Sequence, residues 1–278
     1  MTWGYALIWV DQFLRRDPDP LIARLKFLAH YGLTTTGIGA AEAACWDAGR
    51  AASVGRMLDE NGLRLTLHTG LDFFNPDRAI VRRQAAEAVE ALRRAVPVAR
   101  APLVTTCAGP VHRFMREPSL AAQLEMLAEG LVPLARACGD LRVPFGIENH
   151  GDYYVSDLVG LIERVPGLGL FLDTGNTYLV GEAPLPAFEL GARYAVGTHF
   201  KDHHVAPRPE ARPLHFEVGP SVIGEGDVPL RECYRLLMER NPAPDRLVME
   251  IELIPPSFAG DDPVEAFEKS LAFVRSLA

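Results

Sequence analysis

Eight short runs rich in apolar and β-branched residues recur along the chain, each followed by a longer segment with apolar residues at three- or four-residue spacing. The runs are 3–10 (WGYALIWV), 33–39 (LTTTGIG), 63–69 (LRLTLHT), 102–107 (PLVTTC), 143–149 (VPFGIEN), 167–174 (GLGLFLDT), 194–200 (YAVGTHF) and 246–253 (RLVMEIEL). The helical pattern covers 18–31, 41–61, 76–96, 119–138, 156–164, 228–240 and 263–277, and is faintest at 184–191. Punctuation agrees with these limits. Asn61-Gly62 closes a helix as a glycine C-cap does, and Asn75-Pro76-Asp77 and Asp262-Pro263 stand where helices should begin. Eight strands, each followed by a helix, with no change of composition between the halves, predict an α/β fold: a single (β/α)8 TIM barrel over residues 1–278. A doubly wound open sheet competes, but the first strand–helix turn lacks a Gly-rich phosphate fingerprint.

One connector is out of proportion. Residues 201–226 (KDHHVAPRPEARPLHFEVGPSVIGEG) separate the seventh strand from its helix, and loops this long in compact domains are usually functional. The expectation is a partial lid over the barrel mouth, anchored by Phe216 and Val218; a mobile excursion with no chemical role is the alternative.

Chemistry in such barrels sits at the C-terminal ends of the strands. There the fifth strand delivers Glu148, the sixth Asp173, the seventh His199 and the eighth Glu250. Each follows an apolar run, where an unpaired charge is costly. Neighbouring strands lie about 4.8 Å apart, so four adjacent strand ends can converge on one ion. Three carboxylates and an imidazole make a hard, mostly oxygen donor set, suited to one divalent ion: Mn2+ first, with Mg2+, Co2+ or Zn2+ as alternatives. Without a cation the carboxylates repel one another. Taken singly, each residue also has an ordinary reading: Glu148 paired to an arginine, Asp173 capping the turn Asp173-Thr174-Gly175-Asn176, His199 as a satisfied core histidine. Glu252 shares a strand face with Glu250 and is expected farther out, at the rim.

Composition narrows the function classes. With 36 Asp+Glu against 28 Lys+Arg and a net charge of −8, a phosphate backbone is a poor partner, so nucleic acid is not expected. No run reaches the length of a membrane span. Cys45, Cys107, Cys138 and Cys233 are scattered, without a CxxC pair, as expected of reduced thiols in a cytoplasmic protein.

The segments Gly146-Ile147-Glu148-Asn149-His150, Phe171-Leu172-Asp173-Thr174-Gly175-Asn176, Gly197-Thr198-His199-Phe200-Lys201-Asp202, Gly224-Glu225-Gly226-Asp227 and Val248-Met249-Glu250-Ile251-Glu252, in that order, resemble the xylose-isomerase-like sugar isomerase/epimerase superfamily, which includes ketose 3-epimerases, hydroxypyruvate isomerase and inosose dehydratase. The resemblance spans nearly the whole chain. It implies one divalent ion held by Glu148, Asp173, His199 and Glu250, with Glu148 and Glu250 also acting as acid–base groups on opposite faces of a small ketose or keto-sugar, through an enediolate. The sequence departs from the epimerase pattern at Asn176, where many members carry histidine. That leaves room for an isomerase or for a metal-dependent dehydratase of a keto-polyol. Further substrate-binding candidates are His68, Asn176, Lys201, Asp202, His204 and Trp9. The related enzymes are often dimers or tetramers, which leaves a homo-oligomer open. A DNA-repair endonuclease of the same barrel class would need more histidines and a basic groove, and a non-catalytic sugar-binding barrel would not need four ligands.

Overall fold

Residue patterning of period two and period 3.6 resolves into alternating strands and helices. The computed structural model describes residues 2–6, 19–208, 215–254 and 262–277. The chain begins with β1 (Thr2–Tyr5), α1 (Pro20–Tyr31), β2 (Thr35–Gly39), α2 (Ala40–Ala44), α3 (Ala48–Asn61), β3 (Arg64–His68), α4 (Arg78–Ala99) and β4 (Val104–Thr106). It continues through α5 (Leu120–Asp140), β5 (Phe145–Glu148), α6 (Val155–Ile162), β6 (Leu168–Phe171), α7 (Asn176–Leu179), α8 (Pro184–Gly191) and β7 (Ala195–Phe200). A hairpin of β8 (Asp202–Pro207) and β9 (Phe216–Ser221) follows, then α9 (Leu230–Arg240), β10 (Val248–Ile251) and α10 (Pro263–Arg275).

Eight strands form one parallel sheet in the order β1-β10-β7-β6-β5-β4-β3-β2, a nearly closed (β/α)8 barrel. The seam lies between β1 and β2, where Thr34 donates from both its backbone N and its Oγ1 to the Trp3 carbonyl, at 2.8 and 3.0 Å. Closure there requires glycine: a Cβ on Gly4 would stand 1.9 Å from Thr35 Oγ1 and 2.4 Å from its carbonyl oxygen. The main core fills the space between sheet and helices with Leu, Val, Ile and Phe. A smaller cluster of Leu103, Phe171 and Val248 occupies the barrel interior, since Phe171 is the register partner of inward-facing Glu148. The Phe171 ring meets the His199 ring edge-on, 4.6 Å between centroids, as an apolar floor under the mouth.

Three expectations are corrected. The segment 41–61 is two helices, because Asp47 accepts from Arg50 N and starts α3 afresh after the turn at Cys45. The connector 201–226 is not irregular: β8 and β9 pair antiparallel from Asp202↔Ser221 to Pro207↔Phe216. Phe216 does not anchor it, since that side chain is 60% exposed. The helix expected at 184–191, the faintest in the sequence, is present, with Pro184 at its first position. The outer part of the first run, 7–10, lies outside the described residues, and so does Trp9.

Candidate metal centre

Strand register carries the site. Glu250 is the direct partner of His199 across β10 and β7, and Glu148 that of Phe171 across β5 and β6. Asp173 lies two residues beyond Phe171 and so returns to the same face. Ligand atoms of Glu148, Asp173 and His199 all lie within 4.8 Å of one another. His199 Nδ1 stands 3.1 Å from Glu148 Oε1 and 3.8 Å from Asp173 Oδ2, while its Nε2 is 3.6 Å from Glu250 Oε2. The imidazole thus has Glu148 against one nitrogen and Glu250 against the other. Glu250 stands outside the tight three-residue group.

Asp173 reconciles its two sequence readings. Its Oδ1 accepts from Gly175 N at 2.8 Å and Asn176 N at 2.7 Å, capping the turn into α7. Its Oδ2 is buried and makes no hydrogen bond. One oxygen builds the turn and the other is left to a cation.

Several positioning residues escaped the sequence reading. Asn149 clamps the Asp173 backbone both ways, accepting from its N–H at 2.7 Å and donating to its carbonyl at 3.1 Å. Thr66 donates to Glu250 Oε1 at 2.8 Å. Glu252 is not at an open rim: it is buried, 3.6 Å from His199 Nδ1 and 2.6 Å from Lys201 Nζ. The signal was present, because Glu250 and Glu252 share a strand face.

The other candidates divide by location. His68 ends β3 beside the mouth, and with Thr66, Glu148, His199 and Glu250 it lines a cavity of about 250 Å³. Asn176 donates to Glu148 Oε1 at 3.3 Å and accepts from Lys201 Nζ at 3.1 Å, so its amide bridges two site residues. Lys201 is buried, with Nζ 3.2 Å from Asp173 Oδ2. Asp202 spends both oxygens on the N–H groups of His203, Gly224, Gly226 and Val228, tying the hairpin base to the turn before α9. His204 is exposed and pairs with Asp227 at 3.3 Å.

Four carboxylates (Glu148, Asp173, Glu250 and Glu252) surround two cationic side chains, His199 and Lys201. The Oδ2 of Asp173, which faces Lys201 Nζ but makes no hydrogen bond, the surplus of negative charge and the mixed oxygen–nitrogen donors fit a divalent ion. Burial works against charge on His199, but Glu252 and Glu148 hold its pKa well above the ordinary value. Burial also opposes ionisation of Glu148, and His199 overcomes it and holds that carboxyl below the usual range. Both shifts favour the charged form of the pair.

The linkage has a definite sign. His199 contributes stability that is complete below about pH 6.5 and lost as pH rises through its raised folded value. Glu148 contributes stability that is present above about pH 4.3 and lost as pH falls through its lowered value. A metal ligated by His199 displaces that proton. Mn2+ affinity should thus rise roughly tenfold per pH unit across the neutral range, with about one proton released per ion. Titration calorimetry in buffers of different ionisation enthalpy reads this directly, and binding without proton release would remove His199 from the ligand set.

Among the described residues no helix is long and apolar enough to cross a membrane. The family described as Xylose isomerase-like TIM barrel matches residues 25–277. No curated protein matches the sequence. Among solved structures, D-psicose 3-epimerase from Clostridium cellulolyticum H10, crystallised with D-tagatose, is 16% identical, covering 100% of this chain and 98% of its own, with a TM-score of 0.73. A xylose isomerase domain protein from Alicyclobacillus acidocaldarius subsp. acidocaldarius is 19% identical over 94% of each chain, with a TM-score of 0.70. A xylose isomerase-like TIM barrel protein from Mycobacterium smegmatis, in complex with magnesium, is 17% identical over 95% of this chain and 90% of its own, with a TM-score of 0.65. At such identities these structures speak for the fold, and the family match covers nearly the whole length: the chain belongs to the xylose isomerase-like TIM barrel family.

Proposed function

We propose that the protein is a divalent-metal-dependent isomerase or epimerase of a small ketose or keto-sugar. The observation that carries this reading is the placement of Glu148 and Glu250 against opposite nitrogens of His199, in one cavity at the barrel mouth. Glu148, Asp173, His199 and Glu250 would hold the ion, Mn2+ in our reading. When bound, the ion polarises a carbonyl and lowers the pKa of the adjacent C–H. The chain's own residues supply the rest. One glutamate takes the proton from that carbon, giving an enediolate, and the other returns a proton from the opposite face. Thr66 orients Glu250, and Asn176 orients Glu148. His68, open to the same cavity, is placed to meet a substrate hydroxyl. The scattered cysteines fit a cytoplasmic enzyme.

The second reading is elimination of water from a keto-polyol through the same enediolate. Asn176 favours it, because that amide is committed to Glu148 and Lys201 and cannot change charge near neutral pH. Incubating the Mn2+-loaded protein with ketoses and keto-polyols in D2O separates the two. Deuterium at the carbon beside the carbonyl, with product mass otherwise conserved, supports the isomerase or epimerase; a product lighter by one water supports the lyase. Both fall if chelation leaves the exchange unchanged.

A further inference from the structure

Lys201 is held more tightly than a substrate-binding lysine needs to be. Its backbone N–H donates to Thr174 Oγ1 at 2.7 Å, and Thr174 Oγ1 donates back to the Lys201 carbonyl at 2.6 Å. Its stem runs over Gly175, where an added Cβ would stand 3.1 Å from Lys201 Cδ and 2.6 Å from His203 Cδ2. The absent side chain of Gly175 and the His203 ring of the hairpin thus frame the lysine stem. The stem ends in a cage of oxygens: Glu252 Oε2 at 2.6 Å, Asn176 Oδ1 at 3.1 Å and Asp173 Oδ2 at 3.2 Å from Nζ.

The shared oxygen gives the cage its meaning. Asp173 Oδ2 also belongs to the group that faces His199, from which it lies 3.8 Å. A carboxylate oxygen with a cation position on each side is the arrangement of a two-metal site, whose ions stand about 3.5–4 Å apart. We propose that the Lys201 ammonium is a built-in second cation, one that takes the place of the second ion of a carboxylate-bridged pair and so restricts this centre to one divalent metal. This rests on the metal-dependent reading above. The donors around Nζ are two carboxylates and an amide carbonyl, a hard oxygen set that Mn2+ or Mg2+ would accept if the ammonium were removed. Lysine's point charge suits this use, because three donors match three oxygens and the side chain is buried.

The test is metal stoichiometry by elemental analysis, with Mn2+ electron paramagnetic resonance, on the wild-type protein and on Lys201→Met purified in excess Mn2+. The wild type should bind one ion and give an uncoupled spectrum. Lys201→Met should bind two and show the spin coupling of a bridged pair, and the further change Glu252→Gln should return it to one. Two ions in the wild type, or one in Lys201→Met, would overturn the proposal. Failure of Lys201→Met to fold even with Mn2+ would also overturn it, since a second ion should restore the lost charge. No ion in the wild type would instead remove the metal-dependent function itself.

Discussion

Asp173→Asn should leave the barrel folded and sharply weaken its affinity for a divalent ion. The substitution divides the two jobs of this side chain. An asparagine Oδ1 still accepts from Gly175 N and Asn176 N, so the turn into α7 survives, while the charge beside His199 is gone. Asp173 is wholly buried, and Lys201 and His199 both face its Oδ2. Removing one partner of a buried ion pair costs about 3–5 kcal/mol. A similar loss between Asp173 and the cation, at 1.4 kcal/mol per tenfold, lowers Mn2+ affinity by roughly two to four orders of magnitude. Equilibrium dialysis gives the affinity, and circular dichroism with urea unfolding shows whether the barrel remains. Mn2+ binding within tenfold of wild type, on a folded protein, would mean that Asp173 only caps its turn. Asp173→Ala is less informative, because it also removes both backbone contacts.

The barrel was legible because each strand is a short apolar run ending in a polar group, and that pattern survives without knowledge of neighbours. Register made the site legible too. Once strands five to eight are parallel neighbours, Glu148, Asp173, His199 and Glu250 have to share a rim. What the pattern hid depends on contacts distant in sequence. In a linear reading, Lys201 and Asp202 are two polar groups after a strand, both candidates to bind substrate. The fold turns one into a caged ammonium and the other into a fourfold acceptor of backbone N–H groups. Glu252 was placed too far out because its partner Lys201 lies on a different strand's connector, a pairing that strand-face alternation alone does not give. The hairpin was hidden by composition: Pro207 and Pro220 lie within its strands, where proline is tolerated only at edges, and every strand of a two-stranded ribbon is an edge.

The reading proposed above assigns proton transfer to two glutamates, and separate Glu148→Gln and Glu250→Gln variants test it with a signature that general damage would not mimic. Glutamine keeps a carbonyl oxygen for the cation and a group for the neighbouring donors, Asn176 on Glu148 and Thr66 on Glu250. Mn2+ binding should therefore weaken only modestly, while turnover falls by about 10²–10⁴, the contribution of a positioned acid or base. The isotope pattern is more telling than the rate. On that reading each glutamate serves one face of the reacting carbon, so a variant should retain deuterium exchange with the epimer whose proton points at the surviving glutamate. It loses exchange with the other epimer, and neither variant interconverts the two. Which epimer each variant still exchanges identifies which carboxylate faces which side, a geometry set by the His199 ring between Glu148 at Nδ1 and Glu250 at Nε2. Equal loss of exchange with both epimers at full Mn2+ occupancy would point to a single base and defeat the two-glutamate assignment. Full turnover in either variant would remove that residue from the chemistry altogether.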